Sequence, residues 1–241
     1  MALKFISKGG MYVRVEKFKG GFTTYFQDHT VSKVVSYYDK TCVIHYTDGS
    51  QRTIELTGKD VVDVYNSQFG VPVSDDGSKL FLSSWENGLA AFDTGTNAVL
   101  WRYKRSRITK VFIFPDYLVT KRRYESILKF DIDTGELLGM VKSGTLERMF
   151  HLVGQYVLVD SYRGKLSIID TENMTVVKQF PQKLINPFEC LSFVIREAEF
   201  KENKVIIRGF EGMPRKEFIP ELNLMMTSSD FERELDFDLS V

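Results

Sequence analysis

The sequence predicts an all-β chain of repeated short meanders, and three observations predict it. First, residues 75–103 hold three β-prone runs cut by two glycine turns. Asp75-Asp76-Gly77 leads into Leu80 to Ser84, Asn87-Gly88 into Leu89 to Phe92, and Thr94-Gly95 precedes Val99 to Tyr103. Asn-Gly is the strongest short hairpin signal, and Asp before Gly is ordinary turn chemistry. Second, Phe92-Asp93 recurs as Phe130-Asp131 and Ile169-Asp170, with the aspartates 38 and then 39 residues apart. Third, the apolar pairs that follow recur without gaps, as Val99-Leu100, Leu137-Leu138 and Val176-Val177. A meander this short cannot bury both faces alone, so each copy must stack on its neighbours. A period of about 40 residues with several strands per unit is that of a propeller blade.

The same residues carry a family resemblance. Segment 74–103 resembles a WD40-type blade, with Phe92-Asp93 at that family's Trp-Asp position. The run Phe92-Asp93-Thr94-Gly95 through Leu100-Trp101 also resembles the blade of pyrroloquinoline-quinone-type propellers, and Ser126 to Val141 is similar to both. The resemblance covers 75–180 and implies a β-propeller with clear blades at 61–103, 108–141 and 147–180. The Gly-His pair usual in WD40 blades is missing from every copy.

The other elements follow in order. Tyr12 to Phe18 and Phe22 to Phe26 read as a hairpin around Lys19-Gly20-Gly21. Val34 to Tyr38, Cys42 to Tyr46 and Arg52 to Leu56 read as a further meander, with Val61 to Tyr65 as an outer strand. Residues 11–56 are therefore a degenerate unit. Pro181 to Pro187 is a loop or short helix. Phe193 to Phe200, Lys204 to Phe210 and Glu217 to Met226 form a second degenerate unit, 193–226, which Pro214 and Pro220 break. Residues 230–241 read as a frayed acidic tail, with Asp230, Glu232, Glu234, Asp236 and Asp238 against Arg233. The expected architecture is a single domain over 1–241 with five or six blades. The N-terminal hairpin either forms the sixth blade or pairs with the C-terminal segment to close the ring.

Composition sets bounds. At 241 residues one all-β domain is the natural count, and 43% hydrophobic residues can fill a core. Lys plus Arg equals Asp plus Glu at 32 each, so overall charge selects no partner. The first twenty residues are basic with no long apolar run and do not read as a secretion signal, and no apolar run elsewhere is long enough to span a bilayer. Cys42 and Cys190 read as two reduced cysteines, and the expected compartment is cytoplasmic.

Catalytic signatures do not emerge. Gly58-Lys59 and Gly164-Lys165 lack the glycine of a P-loop, and no dinucleotide, nucleophile-elbow or His-Glu-x-x-His motif is present. His29, His45 and His151 share no ligand spacing and read as structural. Asp75-Asp76 reads as a turn, and Asp93, Asp131 and Asp170 as residues that tie down one repeated turn. No catalytic residue, metal or cofactor is assigned.

The functional expectation rests on a surface. Turns at one repeat position share one face of a propeller. They hold Trp85-Glu86-Asn87, Arg122-Arg123-Tyr124 and Tyr162-Arg163, and the connection Lys104-Arg105-Ser106-Arg107 leaves on the same face. One rim therefore gathers Trp85, Arg105, Arg107, Arg122, Arg123, Tyr124, Tyr162 and Arg163 as a candidate partner-binding face, rich in residue types found at interface hot spots. The window 99–129 holds nine Lys or Arg against Asp116 and Glu125. The partner expected is another protein, with an acidic surface, and no membrane. Trp101 reads as core. The leading reading is a non-enzymatic protein-binding module, in a specialised form a cytosolic inhibitor or immunity-type protein. Two others stay open: an enzyme on a quinoprotein-like propeller, and a single-stranded nucleic-acid binder using the basic rim.

Overall fold

The computed structural model describes residues 3–4, 14–26, 30–38, 41–55, 71–74, 76–84, 88–105, 107–122, 126–142, 146–161, 165–187, 193–212 and 229–238. Its contacts divide the chain into two compact units, Met1–Ser143 and Gly144–Val241. The described residues are nearly all β and form five antiparallel sheets.

In the first unit, β1 (Leu3–Lys4), β2 (Arg14–Phe18), β3 (Gly21–Tyr25), β4 (Val31–Tyr37), β5 (Thr41–Tyr46) and β6 (Gln51–Glu55) form one six-stranded meander. This corrects the expectation for the N-terminal hairpin. β3 pairs along its length with β4, from Gly21 opposite Tyr37 to Tyr25 opposite Lys33. The hairpin is thus part of the following meander, neither a sixth blade nor, among the described strands, a partner of the C-terminal segment. The physical reason is local. Only five residues separate β3 from β4, so pairing there costs the least loop entropy. The expected strand at Val61 to Tyr65 lies outside the described residues.

The second sheet is β7 (Lys79–Ser84), β8 (Gly88–Asp93) and β9 (Val99–Tyr103), and residue Val73 bridges to Leu80 at its inner edge. The third is β10 (Ile108–Ile113), β11 (Tyr117–Arg122), β12 (Ser126–Asp131) and β13 (Leu137–Lys142). Leu80 and Leu82 on one face of β7 and Phe81 on the other are all buried, as in a strand covered on both sides. Val34, Ile44 and Ile54 of the first sheet pack with Val73, Leu80, Leu82 and Ala90 of the second. Phe81, Leu89, Ala91 and Trp101 of the second pack with Val111, Leu118, Leu128 and Phe130 of the third. Trp101 is core, as expected. Its indole N–H donates to the Ile132 carbonyl at 3.1 Å, and Gly135, at φ +71°, lies so close that a Cβ there would sit 2.4 Å from the ring.

In the second unit, β14 (Leu146–Val153), β15 (Tyr156–Ser161), β16 (Leu166–Asp170) and β17 (Thr175–Phe180) form a four-stranded sheet, followed by the short helix α1 (Gln182–Ile185). β18 (Phe193–Lys201), β19 (Lys204–Glu211) and β20 (Ser229–Asp236) form the last sheet. Here the frayed-tail expectation fails. β20 pairs with β19 at eight consecutive positions, Lys204 opposite Asp236 through Glu211 opposite Ser229. Phe231, Leu235 and Phe237 are buried with Leu158, Ile168, Ile195, Val205 and Ile207 in the core between the two sheets. The acids take the other face, where Lys204 meets Glu234 at 2.6 Å and Arg208 pairs with both Glu199 and Glu232. The net charge had masked a period-two pattern. Glu217 to Met226 lies outside the described residues.

The repeat is now physical. Lys79 opposite Asp93, Tyr117 opposite Asp131 and Tyr156 opposite Asp170 are the same register position in three sheets. A bulge follows in each, between Ala91 and Phe92, Lys129 and Phe130, and Ile168 and Ile169. Each aspartate ties down its turn. Asp93 Oδ1 accepts the N–H groups of Gly95 (2.8 Å) and Thr96 (2.7 Å), and Asp131 those of Asp133 (3.0 Å) and Thr134 (2.7 Å). Asp170 accepts those of Glu172 (2.9 Å) and Asn173 (3.3 Å). These bonds hold the carboxyls of Asp93 and Asp131 below their ordinary pKa, the Thr96 and Thr134 backbone bonds most of all.

A fourth copy was hidden in the acidic segment. Asp236 holds the same register opposite Lys204, and the Phe237 N–H donates to the Asn203 carbonyl at 3.0 Å. That bond repeats Thr94 to Ser78 (2.8 Å), Ile132 to Asp116 (3.4 Å) and Thr171 to Gln155 (3.0 Å). β20 therefore occupies the position of β8, β12 and β16.

Asp76 is held as the turn expectation required. Its Oδ1 accepts from Ser74 Oγ (2.6 Å), the Ser78 N–H (3.0 Å) and Ser78 Oγ (2.8 Å). Burial pushes its pKa upward, but these bonds and nearby Lys79 outweigh it and bring the pKa to about 2. A depressed carboxyl stabilises the fold fully above the ordinary carboxylate range, and that contribution is lost as pH falls through about 2. Carbon-detected NMR titration should show this low midpoint, and Ser74→Ala should raise it. An Asp76 carboxyl titrating with the exposed aspartates would contradict the hydrogen-bond account.

Candidate partner-binding rim

Antiparallel order sets which turns share an end. In the second sheet Ser84 lies opposite Gly88 and Leu89 opposite Tyr103, so the end of β7, the start of β8 and the exit of β9 sit together. Gly88 makes the approach possible. At φ +86° it occupies the left-handed region, and a Cβ would lie 2.0 Å from the Tyr103 carbonyl oxygen and 3.0 Å from that of Arg105. The chain then passes Arg107, itself at φ 70°, into β10, where Ile108 lies opposite Arg122 and Arg122 opposite Ser126. One end of the first unit thus carries Ser84 and Gly88, the flanking residues Arg105 and Arg107, and the Arg122–Ser126 pair.

Of the expected site residues, the structure brings Arg105, Arg107 and Arg122 to this end. Arg105 and Arg107 are exposed and Arg122 is half-buried. Trp85, Arg123, Tyr124, Tyr162 and Arg163 lie outside the described residues.

The basic window is less of a surface than its composition implied. Lys121 is only 2% exposed. Lys129 lies over the Tyr117 ring, 4.0 Å from the centroid. The Lys110 side chain is half-buried overall, but its amine lies 4.9 Å from the Phe112 ring centroid, and burial lowers its pKa to about 7. Arg102 is half-buried in β9. Composition alone could not separate these residues from Lys104, Arg105 and Arg107, which are exposed. The opposite end of the same sheets carries the turn aspartates Asp93, Asp131 and Asp133, with Lys79 and Asp133 paired at 2.7 Å. The first unit therefore has a basic end and an acid-rich end.

Among the described residues no group of three or more His, Cys, Asp or Glu could hold a metal ion. His151 is buried, with Nε2 2.8 Å from the Gly154 carbonyl oxygen, and half-buried His45 has its pKa lowered by burial and by Lys33. His29 and Cys190 lie outside the described residues. No described helix is long and apolar enough to cross a membrane.

With this geometry in hand, similarity to known proteins is one of fold. No family model matches the chain, and no curated protein matches it. Solved structures do. One is BamB from Moraxella catarrhalis, with a TM-score of 0.52 and 13% identity over 84% of this chain and 68% of that one. Another is a chain of the Mitotic Checkpoint Complex, with a TM-score of 0.56 and 12% identity over 84% of this chain and 63% of that one. The chain thus spans less than two thirds of the checkpoint-complex chain. The fold is a WD40- and PQQ-like β-propeller fold.

Proposed function

We propose that this protein is a non-enzymatic propeller module that binds another protein through the basic rim, and that it works in the cytoplasm as an inhibitor or immunity-type protein. The observation that carries the reading is the packing of Gly88 against Tyr103 and Arg105, which sets the start of β8 beside the arginine connection. Rigid blades present such connections at little entropic cost, and arginine with aromatic neighbours is the usual hot-spot chemistry. Exposed Arg105 and Arg107 favour an acidic partner surface. The checkpoint-complex structure is, by its title, that of a complex, which supports a protein partner for this fold in general.

The test is binding by rim variants. With a partner captured from source lysate, Arg105→Ala, Arg123→Ala and Tyr124→Ala should each be compared with wild type by calorimetry. At least one should weaken binding by about 2 kcal/mol, roughly thirty-fold, with stability changed by less than about 0.5 kcal/mol. Wild-type affinity in all three would place the functional surface elsewhere, and a captured nucleic acid would overturn the protein-partner reading.

A further inference from the structure

The C-terminal blade is one strand short among the described residues. In the three preceding sheets the strand that carries the shared aspartate, β8, β12 or β16, is hydrogen-bonded to a following strand: β9, β13 or β17. β20 holds that aspartate-bearing position by register and by the Phe237 to Asn203 bond, yet it is the last described strand of its sheet. Such an edge presents a row of N–H and C=O groups at the spacing a further strand requires.

The chemistry of that edge differs from its equivalents. The following strands elsewhere seat an apolar side chain beside an apolar neighbour: Trp101 opposite Ala91, Val141 opposite Ile127, and Phe180 opposite Leu166. Counted from the shared aspartate, the position of Ala91 is Glu234 in β20, and that of Ile127 and Leu166 is Glu232. Asp230, Glu232, Glu234, Asp236 and Asp238 are all exposed on this one face. β19 supplies Lys204 against Glu234 and Arg208 against Glu232, and the four carboxylates of β20 line the outer side of the strand. An apolar following strand would desolvate those carboxylates, whereas a basic one would pair with them.

We propose that β20 accepts an added strand from a partner protein: an extended, antiparallel segment with Lys or Arg at alternate positions, facing Asp230, Glu232, Glu234 and Asp236. Main-chain hydrogen bonds to the β20 edge hold the segment, and the carboxylate ladder selects its sequence and register. Its residues are not those of the arginine rim, and it takes a partner segment of opposite charge.

Two fluorescein-labelled ten-residue peptides test it on the full chain, one alternating Lys with Val and one alternating Glu with Val. The Lys peptide should bind in a polarisation assay, weaken with added salt, and slow hydrogen exchange in 230–236. The double variant Asp230→Lys, Asp236→Lys leaves the described ion pairs in place and should cost the Lys peptide about ten-fold in affinity. Arg105→Glu should leave that affinity unchanged, which keeps this test independent of the rim. The proposal is overturned by equal binding of both peptides, by no binding of the Lys peptide, or by full affinity in the double variant. It is also overturned if the outward amides of β20 in the unliganded protein already exchange as slowly as those of β19, since the edge would then be occupied by the chain itself.

Discussion

Phe130→Ala should lower the stability of the first unit by about 3–5 kcal/mol in urea unfolding. Phe130 is 0% exposed and sits where two sheets meet. Its ring stacks with Trp101 at 6.4 Å between centroids and meets Tyr103 edge-on at 4.8 Å. Truncation would remove the apolar payload and leave a cavity that two aromatics, one pinned by its bond to Ile132, cannot collapse to fill. Leu138→Ala is the matched control. Leu138 stands 50% exposed on β13 and should cost less than about 0.5 kcal/mol. A Phe130→Ala loss below about 1 kcal/mol would mean that the inter-blade core does not carry the fold.

Removing 229–241 should unfold the second unit while leaving the first intact. The deletion takes away Phe231, Leu235 and Phe237, which together stabilise on the order of 5 kcal/mol or more at roughly 1.5–3 kcal/mol per buried side chain. It also strips β19 of its partner at eight positions and removes Arg233, which bonds Glu211 at 2.5 Å and the Ile185 carbonyl. Total stabilities of about 5–15 kcal/mol leave little margin for such a loss. Hydrogen exchange should show protection lost in β14 to β19 and kept in β7 to β13. Wild-type protection throughout in the truncated chain would restore the reading of this segment as a dispensable tail.

The contrast between these regions shows what a sequence exposes. Asp93, Asp131 and Asp170 were readable because each bonds N–H groups only two or three residues ahead. Chemistry that local repeats whenever its residues repeat. Asp236 does the same register work, but it lies 66 residues after Asp170, so the spacing that revealed the other copies was broken. The alternation of Phe231, Leu235 and Phe237 was visible, but the acids between them dominated the reading of the segment. The rim was half legible. Repeat position placed Arg105, Arg107 and Arg122 at one end of a unit, but it could not show that Lys121 is buried or that Lys129 turns onto Tyr117.

By itself the sequence determined the blade unit, its period, its turn aspartates and the aromatic positions between blades, because turn bonding and period-two burial act within a few residues. Only the tertiary structure decided which strands became partners: β3 with β4, and β20 with β19. It also decided which lysines were drawn into the sheets and left the outer edge of the last described strand acidic. Strand pairing joins residues as distant as Lys204 and Asp236, and its free energy comes from an edge and an apolar face that exist only once the neighbouring strands have formed.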